Sequence, residues 1–139
     1  MQGLLEAIAK ADHICVASAW FTNYDLANIL HDKDSQIIVD RQNVSYKEEW
    51  LKLIIHANSN SRFWSDKSSM LHHKFMVFSI YDDQGKLCPY QLWLGSANFT
   101  YNSLNNQESG LLISNPELAA VYYHNFQHLW HQCQPLRLV

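Results

Sequence analysis

At 139 residues, 47% apolar and 13% aromatic, the chain has the length of one domain, residues 1–139, and ample material for a core. A formal charge of -3 argues against a protein that coats polyanions non-specifically, and no stretch approaches the roughly 20 apolar residues that a membrane-spanning helix needs. Met1 to Glu6 lacks the basic start and apolar run of a signal peptide, and Cys15, Cys88 and Cys133 are widely spaced with no CxxC. A reduced, cytoplasmic setting is therefore expected, with Cys15 as a small core residue.

Leu4, Leu5, Ile8 and Ala9 recur at helical spacing, which predicts an amphipathic helix over residues 2–11. A β-branched and aromatic run from His13 to Trp20 reads as a strand. Thr22 with Asp25 three residues later resembles a capping box for a helix through about His31, and Gln36 to Asp40 reads as a short, buried, parallel strand. Ser45 with Glu48 is a stronger capping box, opening a helix that should stop near Asn58.

Arg62 to Ser65 is a brief strand candidate. Two longer strands, about 70–81 and 87–96, are joined across the polar turn Asp82-Asp83-Gln84-Gly85-Lys86. Pro89 cannot donate to a sheet ladder, so its part of the returning arm should lie at an edge or beyond the sheet; a substrate arm, a dimer contact and a plain surface hairpin are all open readings. Gly110 to Ser114 reads as a further strand. Asn115-Pro116-Glu117 then starts a helix to about Trp130, with a cap residue followed by proline at the first helical position. Strands alternating with helices predict an α/β fold, a mixed sheet flanked by helices on both faces.

The chemically informative stretch is residues 71–108. On a strand His72 and Lys74 project to one face; Ser96 and Asn98 share a face by the same parity, as do Asn106 and Glu108. An imidazole, a fixed cation, a hydroxyl, a carboxamide and a carboxylate brought together suit an anionic phosphoryl group. His124, His128 and His131 fall at i, i+4 and i+7 of the last helix, with Cys133 beyond; that spacing can bind zinc, but a polar helix face is the preferred reading, and no metal or cofactor is expected.

The order His72-x-Lys74, Gly95-Ser96-x-Asn98 and then Glu108 resembles the catalytic signature of the phospholipase D superfamily, and the resemblance runs over most of the chain, including the opening strands at 14–22 and 37–40. It implies metal-independent phosphodiester chemistry. One His72 attacks phosphorus to form a phosphohistidine, and a second His protonates the leaving oxygen and then activates water. Lys74 and Asn98 hold the non-bridging oxygens, Ser96 donates a further hydrogen bond, and Glu108 orients His72. His73, on the opposite face, is read as a core or supporting residue. The chain holds one His-x-Lys where two-motif members hold two, so a homodimer is expected to complete the site.

The sequence departs from the family pattern at position 79, a serine where an aspartate usually stands five residues after the lysine. Residue 79 is an odd step from 72 and 74, so its loss should weaken scaffold before chemistry. Residues 41–74 carry six basic and three acidic side chains, and are the one net positive segment; Lys47 and Lys52 are read as a solvated helix face. With small size and a single motif, this favours a nuclease, with DNA ahead of RNA by resemblance. A catalytically silent nucleic-acid-binding or assembly module and a phospholipid-cleaving enzyme are the alternatives, the latter weakened by the lack of an evident interfacial helix. The ends of the chain also fit a piece of a larger nuclease or defence protein.

Overall fold

The structure is a computed structural model and describes residues 2–18, 24–40, 48–57, 61–64, 74–95 and 110–135. Among the described residues, four helices flank a seven-stranded sheet: α1 (Gln2–Lys10), α2 (Tyr24–His31), α3 (Glu48–Ala57) and α4 (Pro116–Gln132). The strands are β1 (His13–Ser18), β2 (Asp34–Asp40), β3 (Arg62–Trp64), β4 (Phe75–Tyr81), β5 (Leu87–Gly95), β6 (Gly110–Ile113) and β7 (Gln134–Pro135). Their order is β6-β5-β4-β1-β2-β3-β7. β1, β2 and β3 run parallel, while β4, β5, β6 and β7 join by antiparallel pairing, so the sheet is mixed as expected.

Alternation along the strands divides the core in two. Ile14, Val16, Ile37, Val39, Met76, Phe78 and Trp93 pack on one face with Leu4 and Ile8 of α1, Leu26 and Leu30 of α2 and Ile54 of α3. Cys15, Ala17, Ile38, Phe75, Val77 and Leu92 pack on the other with Phe126 and Trp130 of α4. β1 is buried at every position, which is why it reads as a continuous rather than an alternating apolar run.

Helix ends follow local chemistry. Lys33 Nζ donates to the carbonyls of Ala9 (2.8 Å) and Ala11 (3.1 Å), satisfying acceptors that α1 leaves open. At α4 the Asn115 side chain accepts from the Leu118 amide at 3.1 Å and Pro116 follows, as the sequence predicts. Asn115→Ala is expected to cost about 1 kcal/mol, measured as a shift of the urea midpoint at constant slope. At the other end the Trp130 carbonyl accepts from Arg62 Nη1 at 2.7 Å and from the Cys133 amide at 3.2 Å. The Arg62 guanidinium also lies 4.2 Å from the Trp130 ring centroid, joining β3 to α4. Burial pushes the Cys133 thiol up to about 11, with Arg62 opposing.

The β4–β5 hairpin shows how Pro89 is tolerated. β6 pairs with β5 only from Leu92 to Gly95, so Pro89 faces no further strand among the described residues. The register also shifts between Phe78 and Ser79, from Phe78↔Gln91 to Ser79↔Pro89, leaving Tyr90 as the extra residue of a bulge. In the turn, Asp82 Oδ1 accepts from the amides of Lys86 (2.8 Å) and Gln84 (2.9 Å), and Gly85 takes a φ of +80° that favours glycine. The Lys86 amide, first, holds the Asp82 carboxyl below its ordinary pKa.

Several details differ from the sequence reading: β4 begins at Phe75 rather than about residue 70, so Lys74 precedes the strand, and β6 ends at Ile113 rather than Ser114. β2 begins at Asp34 rather than Gln36, because Asp34 and Ser35 pair with His13 and Ile14. α4 continues two residues past Trp130, and β7 closes the sheet against β3. The proposed caps Thr22 and Ser45 lie outside the described residues.

Candidate active site

The ends of three adjacent strands adjoin, in sequence, the residues expected to carry the phosphoryl chemistry. Lys74 immediately precedes β4, is half-buried, and accepts from the Gly95 amide through its carbonyl at 2.8 Å. Gly95 ends β5 and is the Cα partner of Gly110, the first residue of β6. Lys74, Gly95 and Gly110 are therefore neighbours across β4, β5 and β6. Phe75 is also the partner of Leu94 and of Ala17, which brings the carboxyl end of β1 to the same edge.

Of the five predicted site residues, Lys74 is described. His72, Ser96, Asn98 and Glu108 lie outside the described residues, as does His73. Their chain positions adjoin the described strand ends: His72 is two residues before Lys74, Ser96 follows Gly95, and Glu108 is two residues before Gly110.

Ser79 sits at the far end of β4, five residues from Lys74, or roughly 16 Å at strand spacing. It is the Cα partner of His13 and is fully buried, on the α4 face that Phe75 and Val77 also share. Its Oγ has no hydrogen-bond partner among the described residues. A buried hydroxyl without a partner is a net cost, so Ser79→Ala is expected to be neutral or to stabilise the fold by up to about 1 kcal/mol, read from the urea midpoint.

Beside Ser79 lies a polar group that the sequence reading missed. His13 Nδ1 is 3.2 Å from Asp34 Oδ2, His13 Nε2 is 3.0 Å from Gln36 Oε1, and Cys15 Sγ is 3.6 Å from His13 Nε2. Gln127 of α4 closes the group by donating to Gln36 Oε1 at 2.7 Å. A thiol, an imidazole and a carboxylate in line resemble a nucleophilic triad, but the chemistry is wrong. Cys15 is wholly buried, and burial drives its thiol far above the ordinary range, so no thiolate forms near neutral pH. The group is part of the scaffold. The signal was weak, since a histidine opening a strand usually reads as solvated; its two partners, Asp34 and Gln36, both come from β2, distant in sequence.

His124, His128 and His131 lie exposed on α4, and His128 Nε2 is 3.0 Å from the Gln132 amide nitrogen. Among the described residues, no three histidine, cysteine or acidic side chains are grouped so as to hold a metal ion. No helix among the described residues is long and apolar enough to cross a membrane.

The described residues thus form a mixed sheet with helices on both faces, with a His-x-Lys in the sequence just before β4 and a Gly-Ser-x-Asn that begins at the last residue of β5. The family model described as cardiolipin synthase, PLD-like domain, matches residues 4–130, and the chain belongs to the phospholipase D-like family. Among solved structures it is similar to Nuc, a phospholipase D family member from Salmonella typhimurium, at 23% identity and a TM-score of 0.75, covering 99% of this chain and 90% of that one. It is also similar to NucT from Helicobacter pylori, at 20% identity and a TM-score of 0.73, covering 96% and 89%. TrmBL2, an archaeal chromatin protein whose structure shows a novel mode of DNA binding, matches at 13% identity and a TM-score of 0.61, covering 96% of this chain and 50% of that one. At these identities the likeness is one of fold. No curated protein matches the chain at a significant level.

Proposed function

We propose that this chain, as one catalytic domain, is a metal-independent phosphodiesterase that hydrolyses DNA, with its active site completed by a second copy of itself. The reading is supported by the ordered set His72, Lys74, Ser96, Asn98 and Glu108 in the sequence of a chain of this family, close in sequence to the paired strand ends Lys74, Gly95 and Gly110.

In the first step a His72 ring nitrogen attacks phosphorus while the P–O bond to the leaving group breaks. The His72 of the second copy gives its proton to that oxygen. In the second step the same imidazole takes a proton from water, the resulting oxygen bonds to phosphorus, and the P–N bond breaks to restore the first histidine. An unperturbed imidazole pKa near 6.5 allows both roles near neutral pH. Lys74 and Asn98 hold the non-bridging oxygens as negative charge grows on them, and Ser96 adds a hydrogen bond. Glu108 accepts from the other ring nitrogen of His72, fixing its tautomer and stabilising the imidazolium. These contacts read phosphate and carry no base information.

The test is cleavage of labelled single- and double-stranded DNA in excess EDTA, comparing the parent with His72→Ala. Cleavage that survives EDTA and is lost in the variant supports the proposal. EDTA-sensitive cleavage would overturn the mechanism, and DNA binding without turnover of any phosphodiester would leave a binding module instead.

A further inference from the structure

At the end of the sheet away from the candidate site, three strands meet at one level. Ser79 of β4 is the Cα partner of His13 of β1, and His13 is in turn the partner of Asp34 of β2, so all three side chains share the face under α4. His13 is 7% exposed, with the Asp34 carboxylate on one flank and Ser79, whose hydroxyl is buried and unpartnered, on the other. Through Gln36 and Gln127 the same imidazole reaches α4. The pattern this sequence resembles carries its carboxylate at position 79, on the flank that here holds only a hydroxyl.

We propose that Asp34 supplies, from β2, the carboxylate that position 79 lacks, and that either flank of His13 can hold it but not both. Cross-strand partners stand about 5 Å apart at Cβ, so an aspartate at 79 would reach the ring as Asp34 does. The two places differ in exposure: the Asp34 side chain is 66% exposed, whereas residue 79 is fully buried. A carboxylate added at 79 while Asp34 remains would be a buried charge competing for a histidine already engaged. Among the described residues, the other titratable groups facing this site offer no substitute. Burial, first, raises the Cys15 thiol and the Tyr123 phenol, leaving both neutral near pH 7, and the Asp12 carboxylate accepts from the Tyr81 amide at 2.9 Å.

This inference does not depend on turnover, because its readout is folding. The experiment is a urea-unfolding cycle on the full chain with Asp34→Ser, Ser79→Asp and the two combined. Each single variant is expected to lower the folding equilibrium constant roughly tenfold, and the combination to lie nearer the parent than either, a coupling of roughly tenfold or more. Asp34→Ser with Ser79→Asn, which restores shape without charge, should show no recovery. Costs that simply multiply, equal recovery by asparagine, or a combined variant that does not fold would each overturn the proposal. A combined variant that folds where Ser79→Asp alone does not would support it.

Discussion

Exchange of His72 for alanine is expected to lower phosphodiester hydrolysis by roughly 10^4-fold or more, because the proposed reaction takes both its nucleophile and its acid from this one position. In the proposed reaction no other side chain bonds to phosphorus: Lys74 acts as a fixed cation, and Asn98, Ser96 and Glu108 act on oxygens or on the ring. Single-turnover cleavage in EDTA reads the loss, and a variant within tenfold of the parent would remove His72 from the chemistry. The shared site adds a second, sharper expectation. If equal amounts of parent and His72→Ala protein exchange subunits freely, only parent–parent dimers hold two imidazoles, and about one quarter of the parent activity should remain. A site complete within one chain would leave half. Glu108→Gln should act differently, losing rate while leaving phosphate affinity nearly unchanged, since a carboxylate that orients the ring does not touch the phosphoryl oxygens.

What the sequence made legible follows from where its signals are local. Asn115-Pro116 marks the start of α4 because a cap and its proline sit side by side, and the short apolar run ending at Asp40 is parallel and buried as its composition requires. Pro89 announced a free edge, and it lies where β5 has outrun β6. Alternation survives along β4 from Phe75 to Ser79, and the bulge falls between Phe78 and Ser79 without undoing the pairing of Ser79 to His13. Illegible features depend on distant partners. Two residues of β7 carry no periodicity, Asp34 and Ser35 look like turn residues until β1 pairs with them, and His13 is buried only because β2, β4 and α4 close around it. For the candidate site, the motif order was legible in full, while the described geometry supplies the neighbourhood of Lys74, Gly95 and Gly110.

Gly110 is the position where the largest loss of stability is expected. A Cβ built there would fall within the Trp93 ring, against Cζ2 and Cε2, and 2.7 Å from the Leu94 carbonyl oxygen. Trp93 is 5% exposed and belongs to the core beneath α1, so its ring has no free direction in which to move, and the carbonyl is backbone. Gly110→Ala should therefore cost about 3 kcal/mol, near the upper end for overpacking, with a lower urea midpoint and an unchanged slope. The direction of the strain can be checked. Trp93→Leu in the Gly110→Ala background removes the ring that the methyl meets and should recover part of the loss, although Trp93→Leu alone is destabilising; equal costs with and without the methyl would show that the ring is not the obstacle. Function should suffer as well. Gly110 opens β6 two residues after Glu108, and a shift of β6 away from β5 moves the point from which residue 108 is held. Displacement of an orienting carboxylate by about 1 Å can lower turnover roughly 10^2-fold, so at temperatures where Gly110→Ala is still folded its cleavage rate should fall far more than its affinity for DNA. A variant that is destabilised but cleaves at the parent rate would mean that residue 108 is held independently of β6.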